Sequence, residues 1–103
     1  MAQCINCILE GESGDLLEDS LLNFADIKEL LWCVDEKQQK YIWLHTIDEY
    51  GDTVFNLLQA KFILSELKDL KNNTDKNTQN LIQPFIEFIN KVNNHTYIKF
   101  IGD

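Results

Sequence analysis

A histidine and several carboxylates stand close together in the middle of the chain, where His45 is followed by Asp48, Glu49 and Asp52. A histidine beside carboxylates can donate and accept protons near neutral pH, and the same groups can bind a divalent metal. Either chemistry requires the imidazole and the carboxylates to converge, and no pattern in the sequence enforces this. We interpret the acidic residues as a solvated turn and keep a small metal-dependent hydrolase as an alternative.

The three cysteines, Cys4, Cys7 and Cys33, do not form a recognisable disulfide or zinc framework. An odd number of cysteines in a chain that we expect to be cytoplasmic argues against disulfides. Cys4 and Cys7 have CxxC spacing, but residues three apart in a strand point to opposite faces and cannot chelate one ion. A structural zinc site needs four suitably spaced ligands. We therefore predict free, buried thiols and neither a metal nor a cofactor.

Motifs of the common catalytic sites are absent from the sequence. It contains no nucleophile elbow, P-loop, HExxH, glycine-rich dinucleotide turn or EF-hand spacing. All nine basic residues are lysine, so arginine, which recognises phosphates and carboxylates through paired hydrogen bonds, is missing. We therefore predict a binding protein without catalytic residues.

The charge of the chain narrows the possible partners. The 103 residues have a formal net charge of −8, and residues 1–52 hold twelve of the acidic residues but only three lysines. A chain this acidic lacks the basic patch that neutralises phosphates, so we expect no direct binding to nucleic acid or anionic membranes. No apolar stretch is long enough to span a bilayer, and the first residues do not resemble a signal peptide. We expect a cytoplasmic protein whose partner is basic.

The elements that would position these residues begin with a short strand. Residues 3–9 are apolar and predict a strand, and the glycines that follow predict a loop. Residues 15–19 are acidic, which predicts an exposed segment. Residues 20–29 have apolar side chains at helical spacing and predict a short helix with Asn23 as its cap.

The middle of the chain predicts a β-hairpin. Residues 30–34 and 41–47 are apolar, the second of them rich in aromatic and β-branched side chains, and a charged connector separates them. If residues 41–47 form a strand, the side chains on one of its faces are Tyr41, Trp43, His45 and Ile47. The next residues, 48–53, predict a turn in which Gly51 has a positive φ.

Two helices and a final strand are predicted in the second half. Residues 56–71 carry an apolar stripe and begin with Asn56, a suitable N-cap. A second helix covers residues 78–92, where Pro84 either kinks the helix or marks its true first turn. The side chains predicted to point inward from this helix are Leu81, Phe85, Phe88, Ile89 and Val92. Residues 95–101 alternate between apolar and polar types and predict a strand.

Together these elements predict an α+β fold. Two main helices pack on one face of a small antiparallel or mixed sheet of about four strands, which is a natural way to bury both. The chain has no internal repeat, low-complexity tract or linker. We therefore expect a single globular domain over residues 1–103.

Several stretches resemble a family of small bacterial proteins of about this length. The most specific are Tyr-Gly-Asp-Thr-Val-Phe-Asn at residues 50–56 and Phe-Ile-Gly-Asp at residues 100–103. Some members of that family look like immunity proteins of contact-dependent growth inhibition and related polymorphic toxin systems. The resemblance implies a protein that protects the producing cell by binding the C-terminal domain of a toxin. It implies no catalytic residues.

We therefore predict a monomeric immunity protein that neutralises a basic toxin domain, a ribonuclease or deoxyribonuclease, by covering its active site with an acidic surface. The predicted toxin contacts are Asp35, Glu36, Asp48, Glu49, Tyr50, Asp52, Glu12 and Asp15. Two alternatives stay open. One is the metal-dependent hydrolase that uses His45 and the neighbouring carboxylates, and the other is a non-catalytic regulatory subunit that dimerises through the edge of the predicted hairpin.

Overall fold

The computed structural model describes residues 4–103, which form four strands and four helices. The strands are β1 (Asn6–Gly11), β2 (Leu16–Asn23), β3 (Asp52–Phe55) and β4 (Thr96–Ile101). The helices are α1 (Ala25–Val34), α2 (Ile42–His45), α3 (Leu57–Asn72) and α4 (Lys76–Ile89). The strand predicted over residues 3–9 is present as β1, although residue 3 lies outside the described residues.

The four strands form one antiparallel sheet in the order β2-β1-β4-β3. The two central strands pair in regular register, with Leu9 opposite Ile98 and Cys7 opposite Phe100. The predicted α+β class, with helices on one face of a sheet of about four strands, is confirmed. β2 and β3 are the edges of the sheet, and both join it by antiparallel pairing.

The hydrophobic core lies between the sheet and the helices. Alternate residues of β4 are buried, including Ile98 and Phe100, as the period of two along a strand requires when one face is covered. Phe24, at the start of α1, packs edge-on against Phe100 and Phe85 at centroid distances of 5.1 and 5.2 Å. Because Phe24 directly precedes α1, and Phe85 and Phe100 lie on α4 and β4, their contacts join the helices to the sheet.

The two long helices form where the sequence predicts them. The Asn56 side chain accepts a hydrogen bond from Gln59 N, and the Gln59 side chain accepts one from Asn56 N, which completes a capping box at the start of α3. Asp75 caps α4, so this helix begins well before Pro84, which lies inside it and does not start it. Leu81 is 51% exposed, and its predicted inward position is wrong.

The predicted hairpin is wrong, because both of its strands are helical. Residues 30–34 are the second half of α1, and residues 41–47 contain the single helical turn α2. The buried side chains of this second segment are Tyr41, Leu44 and Ile47, whose spacing of three matches a helical turn and not a strand. Tertiary contacts therefore override the β propensity of its aromatic and β-branched residues.

Two edge strands were missed by the sequence analysis. β2 is exposed along almost all of its length and pairs with β1 through two register irregularities, so it shows no alternation of apolar and polar residues. Its first half is the predicted exposed acidic segment, and α1 begins after Phe24, one residue later than the predicted cap Asn23. β3 begins within the predicted turn at residues 48–53. Among the glycines, Gly14 and not Gly51 has a positive φ, of 83°.

The three cysteines are free thiols, as predicted, but they are not all buried. Cys7 lies in the core, where burial raises the pKa of its thiol. Cys4 is half-buried, and Cys33 is exposed on α1. The prediction of buried thiols is therefore correct for Cys7 and wrong for Cys33, because residues 30–34 are helical and turn this side chain outward.

Candidate functional site

Asp35, which the sequence analysis placed at the toxin-binding surface, is buried in the loop between α1 and α2 and is only 9% exposed. Its carboxylate accepts hydrogen bonds from the backbone N–H groups of Gln39, Lys40 and Tyr41 at 3.1, 3.0 and 2.8 Å. Burial by itself raises the pKa of Asp35, but these three donors and nearby His45 outweigh it and hold the pKa below its ordinary value. Asp35 therefore organises the loop, and little of its surface is exposed.

The His45 side chain lies over Asp35 and is only 3% exposed. Its Nε2 is 3.2 Å from Asp35 Oδ2, but neither this nitrogen nor Nδ1 has a partner with the geometry of a hydrogen bond. Its ring and the indole of Trp32 are in a T-shaped arrangement, with the centroids 5.5 Å apart. A buried polar group without a hydrogen bond costs about 1–3 kcal/mol, so His45 is a candidate for a functional role.

The short helix α2 carries His45 and is held in place by α3. The Glu66 carboxylate accepts hydrogen bonds from the backbone N–H groups of Trp43 and Leu44 at 3.1 and 2.9 Å, which caps the first turn of α2. Burial raises the pKa of Glu66, although these two donors partly oppose it. The Tyr41 hydroxyl donates to Asp69 at 2.7 Å, and burial together with this carboxylate raises the pKa of Tyr41 to about 12.

The other end of α2 is fixed by α1 through a buried lysine. Lys28 is 4% exposed, and its Nζ donates to the carbonyl oxygens of Leu44 and His45 at 3.4 and 2.9 Å. Burial lowers the pKa of Lys28, while the carboxylates of Glu49 and Asp48 oppose this shift. Both ends of this helical turn are thus held by charged side chains from neighbouring helices.

The loop between α2 and β3 is shaped by the end of the chain. Gly102 N donates to the carbonyl of Gly51 at 2.8 Å, and Asp103 N donates to that of Glu49 at 3.1 Å. A Cβ atom on Gly102 would lie only 2.4 Å from the backbone carbonyl of Glu49, so glycine is required there by close approach and not by its φ. This contact fixes the carboxylates of the loop against the sheet.

A cleft of about 430 Å³ opens between α1 and this loop. It is lined by Lys28, Trp32, His45, Thr46, Ile47, Asp48, Glu49 and Tyr50. Trp32 is 43% exposed and Tyr50 is 76% exposed, so both rings reach solvent at its rim. The Trp32 indole N–H donates to Glu49 Oε1 at 3.1 Å, which links an aromatic wall to an acidic one. We call this feature the Trp32 cleft.

The predicted contact residues divide among several places. Asp48, Glu49 and Tyr50 come together in the Trp32 cleft, whereas Glu36 is exposed in the loop after α1 and does not line the cleft. Asp52 begins β3 and lies 3.5 Å from Lys99. Lys99 alternates with the buried residues of β4, so this ion pair lies on the face of the sheet that the helices leave open.

Glu12 and Asp15 form a separate acidic patch in the turn between β1 and β2. The pairing of the strands places this turn at the end of the sheet near Thr96, whereas Asp52 lies beside Ile101 at the other end. A six-residue strand separates the two ends by about 20 Å. Glu12 pairs with His95, a contact that the sequence analysis did not predict. The predicted contacts therefore do not form one continuous surface.

Two cleft residues, Lys28 and Trp32, were missed by the sequence analysis. They are four residues apart on α1 and therefore lie on the same side of that helix. This spacing was visible in the sequence, but interpreting residues 30–34 as a strand concealed it. Their positions also depend on the approach of α2, which no local pattern predicts.

The two alternative functions gain nothing from the arrangement of the described residues. Across residues 4–103, no three histidine, cysteine or acidic side chains are arranged to hold a metal ion, and the carboxylate 3.2 Å from His45 Nε2 is that of Asp35, which the hydrolase hypothesis did not include. The hairpin through which the regulatory subunit was expected to dimerise is not formed. Within the same residues, no helix has both the length and the apolar character required to cross a membrane.

Comparisons of the chain with protein-family models, with curated proteins and with solved structures give no match. The resemblance to immunity proteins therefore stays a prediction. The composition of the Trp32 cleft and the charge of the chain are the observations from which a function is proposed.

Proposed function

We propose that this protein is an immunity protein that binds a basic toxin domain and blocks its active site, and that the Trp32 cleft is the centre of the interface. The Trp32 cleft carries the proposal because exposed aromatic rings stand beside carboxylates there. Trp32 and Tyr50 are the exposed rings, and Asp48 and Glu49 supply the charge. Tryptophan and tyrosine are enriched among the residues that dominate protein–protein binding energy.

The rigidity of the cleft also supports a binding role. Its walls are fixed by the Trp32–Glu49 hydrogen bond, by the Lys28 contacts to the end of α2, and by the Gly102 contact to the acidic loop. A surface that is already ordered loses less conformational entropy on binding. A short acidic loop held in this way presents its carboxylates in one arrangement.

The net charge of −8 suits a nuclease partner. Nucleases need a basic active site in order to hold phosphates, and carboxylates placed in that site exclude the nucleic acid without any chemistry. Opposite charges also steer the two proteins together and raise the association rate. The acidic patch at Glu12 and Asp15 contributes to this long-range attraction, although it lies far from the cleft.

The proposal predicts a toxin with a basic C-terminal domain in the neighbouring open reading frame, and co-expression with such a domain tests it. We expect rescue of growth and a stable complex on size-exclusion chromatography. If growth is not rescued and no complex elutes, the proposed function is wrong.

A charge-matched pair of variants locates the interface. Asp48→Lys with Glu49→Lys should weaken binding by more than tenfold, because it reverses charge inside the interface. Glu12→Lys with Asp15→Lys makes the same change in net charge at the distant patch, and should alter mainly the association rate. Circular dichroism checks that both variants fold. Equal losses of affinity would show that only net charge matters and would contradict the central role of the cleft.

A further inference from the structure

The geometry points to a guanidinium site in the Trp32 cleft, which accepts an arginine side chain of the basic partner. This inference rests on the proposed function, since it names the group by which that partner is recognised. Four properties of the cleft support it: its aromatic faces, its charge, its shortage of available donors and the unsatisfied ring of His45.

The aromatic rim suits a flat cation. The Trp32 indole is held between Glu49, which accepts its N–H, and the ring of His45, yet 43% of the residue stays exposed. Tyr50 adds a second exposed ring. Guanidinium groups stack on aromatic faces through cation–π and planar contacts, and tryptophan is the strongest partner.

The charges around the cleft favour a cation. Asp48 and Glu49 belong to its wall, and the ionised Asp35 lies beneath His45. Lys28 offsets one of these charges, but its ammonium group is buried and is directed to two backbone carbonyls. The negative charge of the cleft therefore exceeds the positive, and an anionic ligand would be repelled.

The hydrogen-bonding groups of the cleft are mostly acceptors. The donors of Lys28 and Trp32 are already used within the protein, so they are not directed at a ligand. The Asp48 and Glu49 carboxylates can only accept. Arginine carries five N–H donors in a planar fork and no acceptor. It therefore suits a cleft of hydrogen-bond acceptors better than the compact ammonium group of lysine does.

The buried ring of His45 independently favours a ligand that donates hydrogen bonds. It belongs to the wall of the cleft, and both of its nitrogens lack hydrogen-bond partners. In a neutral imidazole one ring nitrogen carries the proton and the other is a hydrogen-bond acceptor. A guanidinium N–H satisfies such an acceptor, whereas a carboxylate or phosphate does not.

Two-dimensional NMR of the full chain tests the site with small probes. Trp32 and Trp43 are the only tryptophans, so the spectrum contains two indole N–H signals. The variant Trp43→Phe loses one of them, which assigns both. Trp43 is an internal reference, because it stacks on Phe62 and does not line the cleft. The probes are N-acetyl-arginine amide and its neutral isostere N-acetyl-citrulline amide. We expect the arginine probe to shift the Trp32 signal saturably, with an affinity of the order of millimolar, and the citrulline probe to have little effect.

Two conservative variants locate the response. Asp48→Asn removes a cleft charge without changing the shape of the side chain, and should weaken arginine binding several-fold. Glu87→Gln makes the same change in charge at an exposed position on α4, outside the cleft, and should leave it unaltered. Equal responses to arginine and citrulline, equal shifts of both indole signals, or equal effects of the two variants would overturn the guanidinium site.

The results separate this inference from the proposed function. If the arginine probe binds in the cleft but the toxin domain forms no complex, the guanidinium site stands and the immunity function fails. If the toxin domain binds with the same affinity to Asp48→Asn as to the wild type, the immunity function stands and the guanidinium site is overturned.

Discussion

Replacing Asp35 by alanine should destabilise the protein strongly, although Asp35 is an acidic residue in a charged loop. Its carboxylate accepts three backbone N–H groups, from Gln39, Lys40 and Tyr41, and also faces the buried ring of His45. Asp35→Ala removes all of these contacts and leaves the N–H of buried Tyr41 without an acceptor. The loop that leads into α2 then loses the group that organises it.

The size of the effect follows from the contacts. A hydrogen bond to a charged group contributes about 1.5–3 kcal/mol, and an unsatisfied buried donor costs about 1–3 kcal/mol. The three bonds share one carboxylate and one loop, so their contributions do not add. We expect Asp35→Ala to lower the free energy of unfolding by about 3–5 kcal/mol, a large part of the 5–15 kcal/mol typical of a domain.

Urea unfolding followed by circular dichroism measures this change. Glu36→Ala is the matched control, because Glu36 is the next residue, is also acidic and is exposed. It should change the free energy of unfolding by less than about 0.5 kcal/mol. A loss below about 1 kcal/mol for Asp35→Ala, or equal losses for the two variants, would refute the structural role of the buried carboxylate.

The same carboxylate should make stability depend on pH. The pKa of Asp35 is lowered in the folded state, so its contribution is complete above the unfolded pKa of about 3.9 and is lost as the pH falls through the lower folded value. The wild type should therefore lose more stability than Asp35→Asn between about pH 5 and pH 3. Glu66 has a raised pKa and acts in the opposite direction, and part of its shift comes from the charge of Asp35, so the difference between the two proteins reports on Asp35 together with its coupling to Glu66. Parallel pH profiles would contradict this.

Three further substitutions test single contacts in the acidic loop, at the start of α3 and at α2. Gly102→Ala should cost about 1–3 kcal/mol and shift the NMR signals of the acidic loop, because its Cβ meets the backbone of Glu49; an unchanged spectrum would contradict the close approach. Asn56→Ala should lower the unfolding free energy by about 1 kcal/mol in a urea titration, through loss of the capping box with Gln59, and no change would show that the cap is dispensable. Glu66→Ala should expose the capped N–H groups of α2 to faster hydrogen exchange, and unaltered protection there would show that α2 is held by other contacts.

Local signals were strong enough to predict the long helices and the central strands. α3 has an apolar stripe and an asparagine cap, and β4 alternates between buried and half-buried residues, so each pattern specifies its element without outside help. The edge strand β2 has no buried face and pairs irregularly with β1. Its sequence therefore lacks the alternation of apolar and polar residues from which a strand is predicted. The strand forms because β1 offers an unpaired edge.

The segment around His45 shows why prediction from the local sequence failed at the candidate site. Its residues favour a strand, but Glu66 from α3 caps its backbone and Lys28 from α1 binds its last carbonyls. These partners are distant in the sequence, so no window around His45 contains them. Grouping acids by their proximity in the sequence likewise separated Asp35 from His45, its actual neighbour.

The sequence by itself determined the acidic charge, the lack of catalytic motifs, the α+β class and the loop that carries Asp48, Glu49 and Tyr50. These properties depend on composition and on short-range periodicity. The tertiary structure alone decided that Asp35 is buried, that Asp52 faces the open side of the sheet, and that Trp32 joins the acidic loop. The reason is physical: burial and charge pairing depend on which elements pack together, and that packing is set by contacts across the whole chain.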